Sequence, residues 1–292
     1  MSTSIPGPDA TSSAERAPLL VVDDIRISYP GRRGLVRSTP PTEVIKGVSF
    51  DVGVGETVGL VGESGSGKST IGRAVLGLLP ITSGSITFDG RPMPRNRQEQ
   101  KWYRRNVQAV FQDPLSSLNP TMSIGDTIAE PMRRLLGMND RREITAQVHH
   151  LLDSVGLSVR QSHSYPRELS GGQRQRVAIA RALAPKPRLI VADEAVSALD
   201  VSTQAQIVNL FADLQEETGV AYLFIAHDLG VVRHMSNRTA VLFKGDLVEW
   251  GDACEVHDHP EHPYTQRLVA AAPVPDPARQ RAKREDRRAA RI

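Results

Sequence analysis

Nine consecutive residues, Gly62-Glu63-Ser64-Gly65-Ser66-Gly67-Lys68-Ser69-Thr70, fit the pattern G-x-x-x-x-G-K-[ST], and that spacing suits phosphate binding. Glycines let successive backbone N–H groups curl round a phosphate, and a helix starting at the end of the loop adds its partial positive charge. Lys68 has the reach for β- and γ-phosphates, and the Ser69 hydroxyl is a ligand for Mg²⁺. Gly62, Ser64, Gly65, Gly67, Lys68, Ser69 and Thr70 are therefore the candidate contacts to a nucleoside triphosphate. A glycine-rich turn that binds nothing is the plainer alternative, and the flanking sequence decides against it. Thr57 to Val61 reads as a buried strand before the loop, and Ile71 to Leu79 as a helix after it, closed by Pro80.

A second pair of residues fits the same chemistry. Asp193-Glu194 directly follows Leu189-Ile190-Val191-Ala192, an apolar run of the kind that forms a central parallel strand. A carboxylate at such a strand end holds Mg²⁺ together with the loop serine, here Asp193 with Ser69. Glu194 is the candidate to polarise the attacking water. Taken alone, the pair is equally well a solvated loop; beside a phosphate loop it reads as catalytic.

Periodicity locates the elements that must position these groups. Ile25 and Ile27 alternate with polar neighbours and close at Tyr29-Pro30-Gly31, a strand; Val44 to Val52 is another. Residues 32–42 are basic and proline-containing and read as a loop. Ser83 to Phe88 and Val107 to Phe111 read as strands, with a short helix over Gln98 to Arg105 between them. Ile124 to Leu136, interrupted at Pro131, and Arg142 to Val155 show helical spacing. Consecutive helices after alternating β and α segments predict a helical subdomain inserted in an α/β core. Further on come a helix over Arg174 to Ala184, a helix over Ser202 to Thr218 stopped by Gly219, and strands over Val220 to Ala226, Arg238 to Phe243 and Leu247 to Trp250.

Composition excludes several classes. Cys254 is the single cysteine, so no internal disulfide framework exists and a reducing compartment fits. No apolar run approaches the ~18 residues that span a bilayer. Residues 1–18, rich in Ser, Pro, Ala and Thr, lack the features of a secretory signal and read as a disordered leader. The net charge of +3 is uneven: Ala278 to Ile292 alone carries +5, which leaves the body slightly acidic. The body therefore has no polyanion-binding signature, and no nucleic-acid partner is expected. The basic tail reads as a solvated end or as a contact for anionic lipid head groups.

Gly62 to Thr70, Gln112, Leu169-Ser170-Gly171-Gly172-Gln173, Leu189 to Glu194, Ser197-Ala198-Leu199-Asp200 and His227 stand in the order found in ABC transporter ATPase subunits, and the chain resembles that family over about residues 19–250. The resemblance implies an α/β P-loop NTPase core with an antiparallel β subdomain, an inserted α-helical subdomain at about 113–168 and a short C-terminal extension at 251–277. It implies ATP hydrolysis with Mg²⁺ in a head-to-tail dimer, ATP lying between the Lys68 loop of one subunit and Ser170 to Gln173 of the other. Such a role is physically sensible. Ser170 supplies a hydroxyl, Gly171 and Gly172 permit close backbone approach, and the following helix aims its N-terminus at the γ-phosphate. The same pentapeptide also reads as a helix cap. By the same resemblance Gln112 senses Mg²⁺ and the attacking water, and His227 contacts the γ-phosphate and orients Glu194 or the water. Asp200 meets the opposite phosphate loop, and Tyr29 stacks on adenine. Ala195 departs from the Pro that many such ATPases carry after the catalytic Glu; the change removes no reacting group.

Phe111 to Pro120 and His262-Pro263-Tyr264-Thr265-Gln266-Arg267-Leu268 resemble the oligopeptide/dipeptide permease group. That likeness implies a subunit peripheral to the cytoplasmic face of a membrane, energising import of peptides, or sometimes nickel or glutathione. It further implies two transmembrane permease subunits, a second ATPase subunit and an extracytoplasmic substrate-binding protein. One cysteine cannot hold an iron–sulfur cluster, so the chain resembles the ATPase of the pair that lacks one. His257, His259 and His262 have zinc- or nickel-ligating side chains, but the prolines among them and the missing second ligand cluster weaken a metal site.

Overall fold

The computed structural model describes residues 17–31 and 40–271. Most of the leader, most of the basic loop after Gly31 and the whole basic tail lie outside the described residues.

The chain opens with antiparallel strands β1 (Leu20–Tyr29) and β2 (Thr42–Val52), then β3 (Thr57–Val61), which delivers the phosphate loop into α1 (Lys68–Val75). Strands β4 (Ser83–Phe88) and β5 (Arg91–Pro92), helix α2 (Arg97–Asn106) and strand β6 (Val107–Phe111) follow. A helical block comes next: α3 (Pro114–Ser117), α4 (Ile124–Pro131), a π turn at Met132–Leu136, α5 (Arg141–Ser154), two 3₁₀ turns and α6 (Gly171–Leu183). The remainder is β7 (Leu189–Asp193), α7 (Val201–Thr218), β8 (Ala221–Ala226), α8 (Leu229–Met235), β9 (Arg238–Phe243), β10 (Asp246–Asp252), α9 (Ala253–Asp258) and α10 (Pro263–Ala271).

These strands make two sheets, one of order β2-β1-β4-β5 and one of order β10-β9-β3-β8-β7-β6. In the second, β9, β3, β8, β7 and β6 run parallel, and β10 is antiparallel at its edge. The continuous apolar runs of the sequence are the parallel strands because both their faces are covered. Alternate residues of β8 show it. Ala221, Leu223 and Ile225 enter the core shared with α1 and the antiparallel sheet. Tyr222, Phe224 and Ala226 enter the core beneath the helical block. Phe211 of α7 meets Tyr222 and Phe224 edge-on, at 5.3 and 5.9 Å between centroids, pairs each contributing about 1 kcal/mol beyond burial.

Three expectations shift. The helix after the phosphate loop starts at Lys68 and ends at Val75, because the loop itself supplies its first turn and Gly77 turns left-handed before Pro80 is reached. The interruption at Pro131 is a change of helix type rather than a gap: without an N–H it cannot continue the regular ladder, and the chain runs on to Leu136 as a π turn closed by left-handed Gly137. The helix expected from Arg174 begins at Gly171, so the two glycines form its first turn rather than a preceding loop.

Candidate nucleotide site

Four adjacent parallel strands end level with one another. Val61 pairs with Ala226, Ile225 with Asp193, and Asp193 with Phe111. Whatever follows each strand therefore meets at one edge of the sheet: the phosphate loop after β3, His227 after β8, Asp193-Glu194 at the end of β7, and Gln112 after β6. This is where open α/β sheets bind ligands.

The loop is built round its lysine. Lys68 is 4% exposed, and its Nζ donates to the carbonyls of Gly62 at 2.7 Å and Glu63 at 2.9 Å. Burial pulls its pKa below the ordinary lysine value, against the opposite pull of Glu194, Asp193 and Glu63. Gly62 has φ 151°, and a Cβ there would lie 2.2 Å from the Leu242 carbonyl oxygen, so no side chain fits. The Ser66 carbonyl accepts from Gly245 N at 3.0 Å, tying the loop to the β9–β10 turn. Ser64 and Gly65 are exposed at its tip. Left-handed Gly67 opens α1 with no side-chain cap and no acidic residue in the first turn.

Ser69 and Asp193 come together as the spacing predicts. Ser69 Oγ donates to Asp193 Oδ1 at 2.8 Å. Burial raises the Asp193 pKa, the Ser69 hydrogen bond opposing it. Two hard oxygens in contact at a half-buried strand end match the donor set of Mg²⁺. Glu194 is held in the left-handed region at φ 50°, a cost of about 1–3 kcal/mol for a non-glycine residue. Its N–H donates to Ile225 O at 2.9 Å, and its carbonyl accepts from Ser197 N and Oγ at 3.1 and 2.9 Å. The strained backbone sits at the candidate base. Gln112 and His227 are exposed at the same edge. The Tyr29 hydroxyl lies 3.5 Å from Thr70 Oγ1, at the end of β1 beside the first turn of α1.

Ser170 to Gln173 lie to one side of the phosphate loop. Ser170 caps α6 through a full capping box: its Oγ accepts from Gln173 N at 3.3 Å, and its N–H donates to Gln173 Oε1 at 2.9 Å. Helix α6 packs on β6, three strands from β3, a lateral offset of roughly 14 Å at ~4.8 Å per strand. A Cβ on Gly172 would lie 2.6 Å from Thr203 Cγ2, whereas one on Gly171 would meet nothing nearer than 3.8 Å. Asp200 caps α7, accepting from Thr203 N at 2.9 Å, Ser202 Oγ at 2.6 Å and Thr203 Oγ1 at 2.8 Å, and these bonds hold its pKa well below the usual range.

Two further residues join the site beyond the candidate contacts. Gln175, fully buried, donates from Nε2 to the Phe111 carbonyl at 3.4 Å and so ties α6 to the strand end that precedes Gln112. Tyr264 reaches the phosphate loop from the C-terminal extension. Two histidines of that extension are engaged locally: His257 Nδ1 pairs with Asp258 Oδ1 at 2.9 Å, and His262 Nδ1 accepts from Tyr264 N at 3.1 Å. Among the described residues no group of three or more His, Cys, Asp or Glu is placed to hold a metal ion, and no helix is long and apolar enough to cross a membrane.

A parallel sheet whose carboxyl edge gathers a phosphate loop and a serine–aspartate pair defines a P-loop nucleotide-binding cassette. Comparison with known proteins places it more closely. The chain belongs to the ABC transporter family: residues 45–197 match the family model described as ABC transporter, and residues 248–291 match the oligopeptide/dipeptide transporter, C-terminal region. It is 49% identical over 269 residues to the glutathione import ATP-binding protein GsiA of Escherichia coli (strain K12), covering 91% of this chain and 43% of that protein. It is 47% identical over 274 residues to the protein of the same name from Pectobacterium atrosepticum, covering 93% and 44%. The chain thus spans less than half the length of these relatives. Among solved structures, cbiO1 from Clostridium perfringens, part of the ABC transporter complex cbiONQ, superposes with a TM-score of 0.73 at 26% identity, covering 83% of this chain and 91% of that one. The ATP-binding cassette MJ0796, in a dimeric post-hydrolysis state bound to ADP and Pi, gives 0.71 at 29% identity, covering 80% and 98%. The α/β core with its antiparallel sheet and helical block is the ABC ATPase fold.

Proposed function

We propose that the chain is the ATP-hydrolysing subunit of an importer for small peptides, working at the cytoplasmic face of a membrane. Its partners in this reading are two transmembrane permease subunits, a second ATPase subunit and an extracytoplasmic binding protein. The observation that carries the reading is the coexistence of a phosphate loop and serine–aspartate pair at one strand edge with the oligopeptide/dipeptide transporter C-terminal region. Within the peptide class, the names of the relatives favour glutathione, itself a tripeptide.

The roles follow from position. The phosphate loop and Lys68 bind the triphosphate, and Tyr29 offers its ring to the base beside Thr70. Ser69 and Asp193 would hold Mg²⁺, with Gln112 at the neighbouring strand end. That ion, when bound, neutralises charge on the phosphates. Glu194 accepts the proton of the attacking water, and His227 orients that water from the adjacent strand end. Ser170 to Gln173 clamp the γ-phosphate of the partner's nucleotide. A hydroxyl has one donor and two acceptor sites, so Ser170 Oγ can accept from Gln173 N and still donate to a phosphate. Asp200, exposed beside that cap, meets the partner's loop. ATP closes the pair, hydrolysis reopens it, and the helical block passes the motion to the permease.

The test is uptake. Cells carrying the chain with its permease partners should accumulate labelled dipeptide, oligopeptide or glutathione, and Glu194→Gln should stop it. Uptake that persists in the variant, or a chain that co-purifies with ribosomes or DNA and no permease, would overturn the proposal.

A further inference from the structure

The His262-Pro263-Tyr264-Thr265 stretch opens α10, and its most buried aromatic residue faces the phosphate loop. Tyr264 is 2% exposed. Its ring stacks on Phe243 of β9 at 4.2 Å between centroids. Its hydroxyl accepts a hydrogen bond at 2.8 Å from the N–H of Glu63, the second residue of the loop and 201 positions earlier in the chain.

That N–H belongs to the same planar peptide unit as the Gly62 carbonyl, and in a trans peptide the two point in opposite directions. The Gly62 carbonyl accepts from Lys68 Nζ at 2.7 Å. Tyr264 and Lys68 therefore grip one peptide unit from its two sides. With the Glu63 N–H tied outward, the Gly62 carbonyl is turned inward to where it fixes the lysine. The extension is itself anchored to hold this geometry. Glu249 of β10 accepts from Glu261 N at 3.0 Å and His262 N at 3.1 Å. His262 Nδ1 then accepts from Tyr264 N.

We propose that Tyr264 is a positioning residue for the phosphate loop, and that docking of the C-terminal extension through its hydroxyl sets the affinity for ATP. The proposal rests on the phosphate-loop role given above. Tyr264 does not touch the reacting atoms; it acts through the Gly62–Glu63 peptide and Lys68. The plainer alternative is that Tyr264 only packs on Phe243. The two differ in what the hydroxyl does.

The test uses the full chain assembled with its partner subunits and the conservative variant Tyr264→Phe, which keeps the ring on Phe243. Removing one hydrogen bond of this kind should raise the KM for ATP about three- to tenfold, leave kcat within about twofold, and speed amide exchange at Glu63. An unchanged KM overturns the proposal, whether or not exchange at Glu63 accelerates. Should Tyr264→Phe fail to fold, Glu249→Gln loosens the anchor instead. It should raise KM in the same direction, and an unchanged KM there is equally fatal. Lys68→Ala is run beside them. If it binds ATP normally, the phosphate-loop role falls and this proposal with it. If it loses ATP while Tyr264→Phe keeps normal KM, only the Tyr264 role is lost.

Discussion

The proposed site brings phosphate to two helix N-termini, and they are built in opposite ways. Helix α1 follows Gly67 as its N-cap, with no side chain capping it, and its first residue is a nearly buried lysine whose ammonium is tied to the loop. Helix α6 follows Ser170 as its N-cap, exposed and neutral, with Ser170 and Gln173 closing a reciprocal cap. The first end is completed by its own neighbours: Asp193 reaches Ser69, and Tyr264 and Gly245 hold the loop from behind. The second is braced on its inner side, by Gly172 against Thr203 and by Gln175 against Phe111 O, and presents its tip outward. One end is completed within its own sheet edge. The other is a braced tip three strands away, which the proposed composite site presents to a second molecule. The dipole alone therefore does not define a phosphate site; charge and convergence do.

The largest effect should come from the pocket side. Glu194→Gln is expected to lower turnover by about 10²–10⁴-fold, the range for a positioned base, with ATP binding kept and a closed pair accumulating on size-exclusion chromatography. Wild-type turnover would take Glu194 out of the chemistry and remove the catalytic half of the contrast.

The next effect separates the charged end from the neutral one. Burial lowers the Lys68 pKa in the free chain, while triphosphate favours the ammonium. Between those two values binding takes up a proton, so ATP affinity should fall by up to about tenfold per pH unit as pH rises. The fall should begin below the ordinary lysine value of about 10.4. A fluorescence titration from neutral to alkaline pH checks it. Substitution at Ser170 should leave the onset where it is, because that end carries no titrating group; a shifted onset would join the two ends into one site.

The smallest effect concerns the bracing of α6. Gly172→Ala drives a methyl into Thr203 and should lower unfolding stability by about 1–2 kcal/mol. Gly171→Ala has room and should be neutral or slightly stabilising in the same thermal melts. Equal losses at both positions would show that the outer glycine is structural too.

Much of this was legible in the sequence because function and folding used the same residues. The loop at Gly62 to Thr70 had to follow a buried strand and open a helix, and the runs at Thr57 to Val61 and Leu189 to Ala192 were apolar because the sheet is covered on both faces. That Ser69 meets Asp193 across 124 positions followed from placing the phosphate loop after one buried strand and Asp193 at the end of another. What periodicity missed was set by long-range contacts. Gly171 and Gly172 look like a loop until Thr203 is known to press on the second of them. Asp200 was expected to face a partner, and within its own chain it caps α7. Gln175 belongs to no spacing rule, and Tyr264 stands in the His262–Leu268 stretch, which marked a family likeness and not a contact; each acts on a backbone group brought near only by the fold. The residues 1–16, 32–39 and 272–292 lie outside the described structure, and the lipid contact expected of the basic tail with them.

Ser170→Arg decides whether the two ends belong to different molecules in one working site. ATP affinity is measured on the isolated chain, and turnover on the chain assembled with its partner subunits. The composite site predicts affinity unchanged within about twofold and turnover lowered at least a hundredfold, because a bulky cation in the cap blocks closure while the Lys68 loop is intact. Turnover that survives, or ATP affinity of the isolated chain that falls with it, would contradict the account.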